Sequence, residues 1–325
     1  MVIMLCDKDK NARQDMLMNV SIIIVNYNTK DLLKDCIYSI INNVKNISYE
    51  IIVVDNASQD GSIYMVRSLF SDVKLIINKT NTGFGSANNI GVEAAEGKYI
   101  FFFNSDAILV SDTVFSLFDF LEKNQSYAMA GPKILLPGMT MQPKTCGELP
   151  TIFRIFNDSM FLSILLSNVS FFDGINTDKP SKKETSLGWI SGVCMLIRKD
   201  VFESVGGFDK NIFLYSEDMD LCRRIKDTGW EIAHIDDFPI IHKCGGSSKT
   251  DADIIRNSVL QQNYFLEMLT DMFSHFQMVM VRSIMFKGLI LRILIGAAIK
   301  IIKPEKKSLL METSLARIKR VFRQV

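Results

Sequence analysis

No CxxC pair occurs in this chain. Its six cysteines stand scattered at positions 6, 36, 146, 194, 222 and 244, which excludes the spacing of a zinc site or a dithiol redox centre. Four of them fall within expected helices or strands, or at their ends, and the set reads as reduced thiols of a cytosolic protein. The first nineteen residues mix Asp7, Lys8, Asp9, Lys10, Arg13 and Asp15 and lack the apolar core of a signal peptide. Residues 1–19 are therefore expected to form a peripheral arm. There is no internal repeat, no low-complexity region and no nucleic-acid-binding motif, so no nucleic-acid partner is expected. The apolar C-terminal segment is interrupted by Arg282, Lys287, Arg292 and Lys300. That leaves no charge-free run approaching the roughly eighteen residues a spanning helix needs. Net charge is also scarce, at +1, but unevenly spread: from Phe276 onward eleven Lys or Arg face two Glu, a surplus of +9, leaving −8 on the preceding 275 residues.

What the chain does have is apolar residues in ordered patterns. At 325 residues and 48% hydrophobic content it can bury a sizeable core, one large domain with an appendage. Val20 to Asn26 and Glu50 to Asp55 are apolar runs ending in polar residues. Between them Leu32, Leu33, Cys36, Ile37, Ile40 and Ile41 recur at helical spacing, with Lys30, Asp31, Lys34 and Asp35 opposite. A second helix is expected over Ser62 to Phe70 and a third strand over Val73 to Ile77. The alternation predicts an α/β fold with a mostly parallel sheet flanked by helices. Tyr99 to Phe103 (YIFFF) reads as a strand buried on both faces. Asn104-Ser105-Asp106 places a carboxylate past its C-terminal end, where open α/β sheets bind ligands. Tyr27, Asp55 and Asp106 thus line one rim and frame a nucleotide-sized crevice; the plainer alternative is a row of turn and cap residues.

At this point VSIIIVNYN, EIIVVDNASQDGS, NTGFGSANNIG, the NSD triplet, GWISGVCMLIRKDVFESVGGFD and FLYSEDMDLCRRIKDTGW resemble successive motifs of the family 2 glycosyltransferases. The similarity covers about Val20 to Ser247, with the motifs in the family's order, and lies nearest the rhamnosyltransferase-like branch. It implies a GT-A type nucleotide-binding fold over residues 20–250, with a donor half at about 20–110 and an acceptor half at about 111–250. It also implies an inverting transfer of a sugar, rhamnose from dTDP-rhamnose as the best single choice, to a glycan or polyprenyl-linked acceptor in surface polysaccharide synthesis. A UDP-sugar-dependent transferase (galactofuranose, GlcNAc or glucose) and a non-catalytic nucleotide-sugar-binding membrane scaffold are the alternatives.

The residues fit those roles individually. Asp55 can accept the base's imide N–H while Tyr27 packs against the ring. Asn81, Gly83 and Asn88 lie where small residues admit a ligand close to the backbone and amides reach a ribose; a tight turn before a helix explains the glycine equally. Asp106 is the expected ligand of a divalent cation, Mg²⁺ or Mn²⁺, bridging the diphosphate. Asn104 replaces the first acid of the family's paired aspartates. His242 is the expected second ligand by resemblance, with a structural histidine as the alternative, and Lys243 is an alternative point charge for the diphosphate. Of the acids in Tyr215 to Asp220, the resemblance implies Asp218 as the base that deprotonates the acceptor hydroxyl. Glu217 comes second and is a candidate acceptor ligand; Asp220 is expected to support Arg223 or Arg224. Trp189 either stacks on the acceptor sugar or fills the core. Asp209 is expected to fix the turn before the acids, and Phe208 to lie in the core.

Residues 251–325 read as a basic, apolar helical tail. It suits the surface of an anionic membrane, which would place the protein in the cytoplasm, peripheral on the inner face of the cell membrane. Packing on the main domain or pairing in a homodimer is the alternative. Ser159 to Phe172 is too short to span and is expected either to dock a polyprenyl chain or membrane or to form a buried helix. Lys182, Lys183 and Glu184 mark a loop able to order over the donor.

Overall fold

The computed structural model describes residues 18–167, 169–176, 184–244, 250–302, 309–318 and 320–321. Most of the N-terminal arm, Lys182 and Lys183, and Gly245, Gly246 and Ser247 after His242 lie outside the described residues.

The donor half runs β1 (Val20–Asn26), α1 (Lys30–Asn43), β2 (Tyr49–Asp55), α2 (Ser62–Leu69), β3 (Lys74–Ile77), α3 (Phe84–Glu93) and β4 (Tyr99–Phe103). Its four strands are parallel, in spatial order β3-β2-β1-β4. Helical crossovers require this, since a parallel neighbour can be reached only by crossing a face of the sheet. The second half adds β5 (Ala107–Leu109), α4 (Thr113–Lys123), β6 (Tyr127–Leu135), β7 (Cys146–Gly147), α5 (Ile152–Ser159), α6 (Leu162–Leu165), β8 (Glu184–Ser186), β9 (Trp189–Ile190), β10 (Cys194–Arg198), α7 (Lys199–Ser204), α8 (Glu217–Asp227) and β11 (Glu231–His242). β10 inserts antiparallel between β4 and β6, and β6 pairs parallel with β11. Every antiparallel join of this sheet thus involves a strand of the second half.

Side chains alternate across this sheet as a pleat demands. Ile22, Ile24, Phe101 and Phe103 face one apolar cluster under α1, α2 and α4. Ile23, Ile100 and Phe102 face the other, which holds Leu221 and Ile225 of α8. Both faces are covered, so the strands read as continuous apolar runs. Each fully buried Ile or Phe contributes about 1.5–3 kcal/mol.

The tail is helical: α9 (Asp251–Met272), α10 (His275–Ile302) and α11 (Leu309–Ile318). Thr250 and Asp253 close a capping box at the start of α9. Leu266, Leu269, Met278, Val281 and Met285 join the cluster that contains Phe102, so the inner face of the tail packs on the main domain. Two of its interrupting cations point inward. The Arg292 guanidinium donates to the carbonyls of Asp158 and Ser159, both at 3.0 Å, and lies 4.4 Å over the Phe161 ring. Arg282 donates to the Val321 carbonyl. No described helix is long and apolar enough to cross a membrane, and no disulfide joins the described cysteines.

Candidate active site

The ends of β1, β2 and β4 are tied by one polar network. The Asn26 amide donates to Asp55 Oδ2 (2.8 Å) and to Ser58 Oγ (3.0 Å), and the Ser58 N–H donates to Asp55 Oδ1 (2.8 Å). Thr29 Oγ1 donates to Asn26 Oδ1 and meets Ser105 Oγ at 2.9 Å. Asp55 is thereby only 1% exposed, both oxygens already accepting one bond, while Tyr27 stands 49% exposed at the rim. Asn28 and Ala57 take left-handed backbone at these strand ends (φ 55° and 68°).

Asn56 organises the next loop, a role the sequence does not announce. Its amide donates to Asn81 Oδ1 and the Gly83 carbonyl; its oxygen accepts from Asn78, the Thr82 N–H and the Thr82 hydroxyl. Gly83 has φ 87°, and a Cβ there would sit 2.3 Å from the Phe213 carbonyl, which accepts the Phe84 N–H. The close backbone approach expected at Gly83 is therefore made by the chain itself, joining the donor loop to the acceptor half. Asn88 is 1% exposed, and its amide donates to the Phe84 carbonyl within α3.

Asp106 and His242 meet across 136 residues of sequence. β11 breaks register between Ile235 and Ile240, and its last three residues pair antiparallel with β5, His242 opposite Ala107. His242 Nε2 then lies 3.0 Å from Asp106 Oδ1, and Nδ1 lies 2.8 Å from Gln142 Oε1. Lys243 is spent elsewhere: its ammonium pairs with Asp35 at 2.7 Å, and its N–H donates to the Asp106 carbonyl. A carboxylate oxygen and an imidazole nitrogen suit a divalent cation. Among the described residues no group of three or more His, Cys, Asp or Glu gathers to hold a metal, so the chain would offer this pair and a diphosphate the remaining oxygens. Asn104 Oδ1 is buried with no partner among the described residues, a neutral oxygen two residues from Asp106. The residues present fit the cation.

The acids sit on a strained turn. Tyr215 and Ser216 both adopt φ near 70° (71° and 72°) immediately before α8, a conformation costing about 1–3 kcal/mol per non-glycine residue. Asp218 accepts from the Gly192 N–H (3.0 Å) and the Met219 N–H (2.8 Å). Burial pushes its carboxyl above the ordinary range despite these donors. Glu217 is 6% exposed, and its Oε2 has no partner among the described residues. Burial first and the Asp218 charge second raise it to about 8. Asp220 forms ion pairs with both Arg223 (2.9 Å) and Arg224 (2.8 Å). The loop at Gly192-Val193 bridges the two clusters: the Val193 carbonyl accepts the Asn104 N–H (3.0 Å), and Gly192 binds Asp218.

Trp189 takes the core alternative rather than a stacking face. It is 5% exposed, and its indole N–H donates to the Ile175 carbonyl. Phe208 is in the core as expected, and Asp209 Oδ1 accepts the Asn211 N–H in the turn ahead of the acids.

An α/β sheet with a parallel donor half, carboxylates at its strand ends and an acid pair at the start of α8 has the architecture of a GT-A type glycosyltransferase. The model of Glycosyl transferase family 2 matches residues 21–206, more than half of the chain, and the chain belongs to that family. It is 24% identical over 212 residues to N-acetylglucosaminyl-diphospho-decaprenol L-rhamnosyltransferase of Mycobacterium tuberculosis, covering 62% of this chain and 68% of that one. It is 28% identical over 235 residues to the rhamnosyltransferase WbbL of Escherichia coli K12, covering 69% and 83%. Among solved structures, the mannosyltransferase PcManGT of Pyrobaculum calidifontis, in complex with GDP-Man and Mn²⁺, superposes with a TM-score of 0.58 at 16% identity, over 95% of this chain and 88% of that one.

Proposed function

We propose that the protein transfers rhamnose from dTDP-rhamnose, with inversion, to a polyprenyl-linked or other glycan acceptor in surface polysaccharide synthesis. The observation that supports a transferase reading is the Gly192-Val193 loop, which hydrogen-bonds Asn104, two residues from Asp106, on one side and Asp218 on the other. The sugar and acceptor rest on the names of the two rhamnosyltransferase relatives.

Tyr27 packs on the base and the Asp55 rim receives its imide edge, with Asn81 on the ribose side and the buried Asn88 behind it in α3. Asp106 and His242 would hold a divalent cation, which would supply positive charge beside the diphosphate leaving group. Asp218, held by two backbone N–H groups, takes the proton of the acceptor hydroxyl as that oxygen attacks the anomeric carbon. Glu217, beside it, contacts the acceptor. Calorimetric titration with dTDP-rhamnose, UDP-galactose and UDP-GlcNAc, each with and without Mn²⁺, tests this. Mn²⁺-dependent binding of dTDP-rhamnose alone is expected. Preference for a UDP-sugar would replace the donor, and binding of none would favour a non-catalytic scaffold.

The outer face of α10 supports peripheral attachment to the cytoplasmic side of a membrane. Phe276, Met280, Ile290, Leu294 and Ile301 are exposed there together with Lys287 and Lys300, an apolar surface with cations suited to anionic lipid. The Arg292 contacts bring Phe161, and with it exposed Ile164 and Leu165 of α6, beside the same helix. Because the inner face of α10 belongs to the core, surface substitutions test this better than truncation. Leu294→Glu with Ile301→Glu is expected to lower co-sedimentation with phosphatidylglycerol vesicles; unchanged co-sedimentation removes the proposal.

A further inference from the structure

We propose that Gln142 is a positioning residue that fixes the tautomer of His242 and so presents its Nε2 to the cation. The inference rests on the reading of Asp106 and His242 as cation ligands and extends it to a residue outside every motif of the chain.

The geometry is specific. A carbonyl oxygen only accepts, so Gln142 Oε1 at 2.8 Å requires the His242 proton on Nδ1. In the neutral ring Nε2 then carries the lone pair, 3.0 Å from the Asp106 carboxylate; a doubly protonated ring donates there instead. A carboxylate oxygen and an imidazole lone pair at that distance need a positive charge between them, a second ring proton or a divalent cation. Without the Gln142 acceptor, the neutral ring would place its proton on Nε2 and donate to Asp106, closing the pair on itself. A hydrogen bond to the distal ring nitrogen is how ligating histidines are usually oriented.

Gln142 is also rigidly held. Leu136 and Met139 close a tight reversal after β6, with the Leu136 N–H donating to the Thr140 carbonyl and the Met139 N–H to that of Leu136. Met141 bridges back to Leu135, and the Gln142 N–H donates to the Ile134 carbonyl at 2.9 Å. Thr145 Oγ1 donates to the Gln142 carbonyl. Ile134 lies beside Ile240 in the parallel β6–β11 pair, so the reversal delivers residue 142 to the His242 ring across 100 positions of sequence. Cys244 Sγ also approaches, 3.3 Å from Nδ1 and 3.7 Å from Gln142 Oε1. Its S–H donates to Gln142 Oε1, and a thiol sulfur is a weak acceptor beside an amide oxygen.

The test measures Mn²⁺ affinity from the paramagnetic resonance signal of free Mn²⁺, and the imidazole tautomer from ¹⁵N NMR of histidine-labelled protein. Only three histidines contribute signals. Wild type is expected to show His242 as the Nδ1–H tautomer. Gln142→Leu and Gln142→Asn, which delete or withdraw the acceptor, are expected to lose that preference and to weaken Mn²⁺ binding about tenfold or more. Gln142→Glu, which keeps an acceptor, is expected to stay within about threefold, and Cys244→Ala to match wild type. Wild-type tautomer and affinity in both the Leu and Asn variants would overturn the proposal, as would equal losses in the Glu and Leu variants. If wild type binds no Mn²⁺ even with dTDP, the cation reading fails; the tautomer signals then decide the Gln142 contact separately.

Discussion

The two carboxylate clusters of this molecule are built in opposite ways. On the donor side Asp55 is held by Asn26 and the Ser58 N–H, and Asp106 faces His242. Both sit at the ends of regular strands. On the acceptor side Glu217 and Asp218 follow two left-handed residues, and Glu217 carries a buried oxygen with no partner among the described residues. Asp55, with both oxygens hydrogen-bonded, can receive a ligand without rearranging. A buried acid pair on a strained turn stores free energy that chemistry can use. The contrast is what the proposed division, binding at the first cluster and proton transfer at the second, predicts.

The sharpest way to break that division is Asp218→Asn. The change keeps the shape and removes the base, so transfer is expected to fall by about 10²–10⁴ while donor affinity stays near wild type. Equal loss of both, measured by turnover and calorimetry, would dissolve the distinction between the clusters.

A smaller effect is expected where the clusters join. Gly83→Ala forces a Cβ into the Phe213 carbonyl at a backbone φ of 87°, two residues before the strained Tyr215. A loss of roughly 1–3 kcal/mol in urea unfolding is expected from strain and overpacking. Wild-type stability would mean that the donor loop and the acid turn are not mechanically coupled.

Much of this was legible from residues. The strand over Tyr99 to Phe103 and the helix from Glu217 follow directly from apolar runs and acid placement, because burial on two faces leaves few other patterns. Family motifs carried Asp106, His242 and Asp218 to one region before any coordinates. Gln142 was not legible: it lies in no regular run, and its partner is brought to it by a register break in β11 and a reversal after β6. Asn56 was hidden for a related reason, since a turn asparagine looks the same whether it caps one residue or gathers a whole loop. Gly83 fits both a ligand approach and a tight turn, because a glycine reports close approach but not what approaches; the structure shows the Phe213 backbone against it. Trp189 illustrates the same limit, since ring type does not tell a stacking face from a core position until its N–H is seen donating to Ile175.

The gentlest test follows the protons. The Glu217 carboxyl is raised from 4.5 to about 8 by burial and by Asp218. Between those values the folded chain holds a proton at this site that the unfolded chain has released. Stability contributed by the site must then fall as pH rises through that window, since the unfolded state binds fewer protons. Glu217→Gln keeps a neutral, hydrogen-bonding side chain at every pH and removes the slope. Thermal unfolding from about pH 5 to about pH 8 should therefore show the variant gaining on wild type as pH increases, the gap being smallest at the acid end. A constant gap would show that Glu217 is ionised in the folded protein across the whole range. The acid pair would then be as fully compensated as the donor rim, and the contrast between the clusters would lose its electrostatic basis.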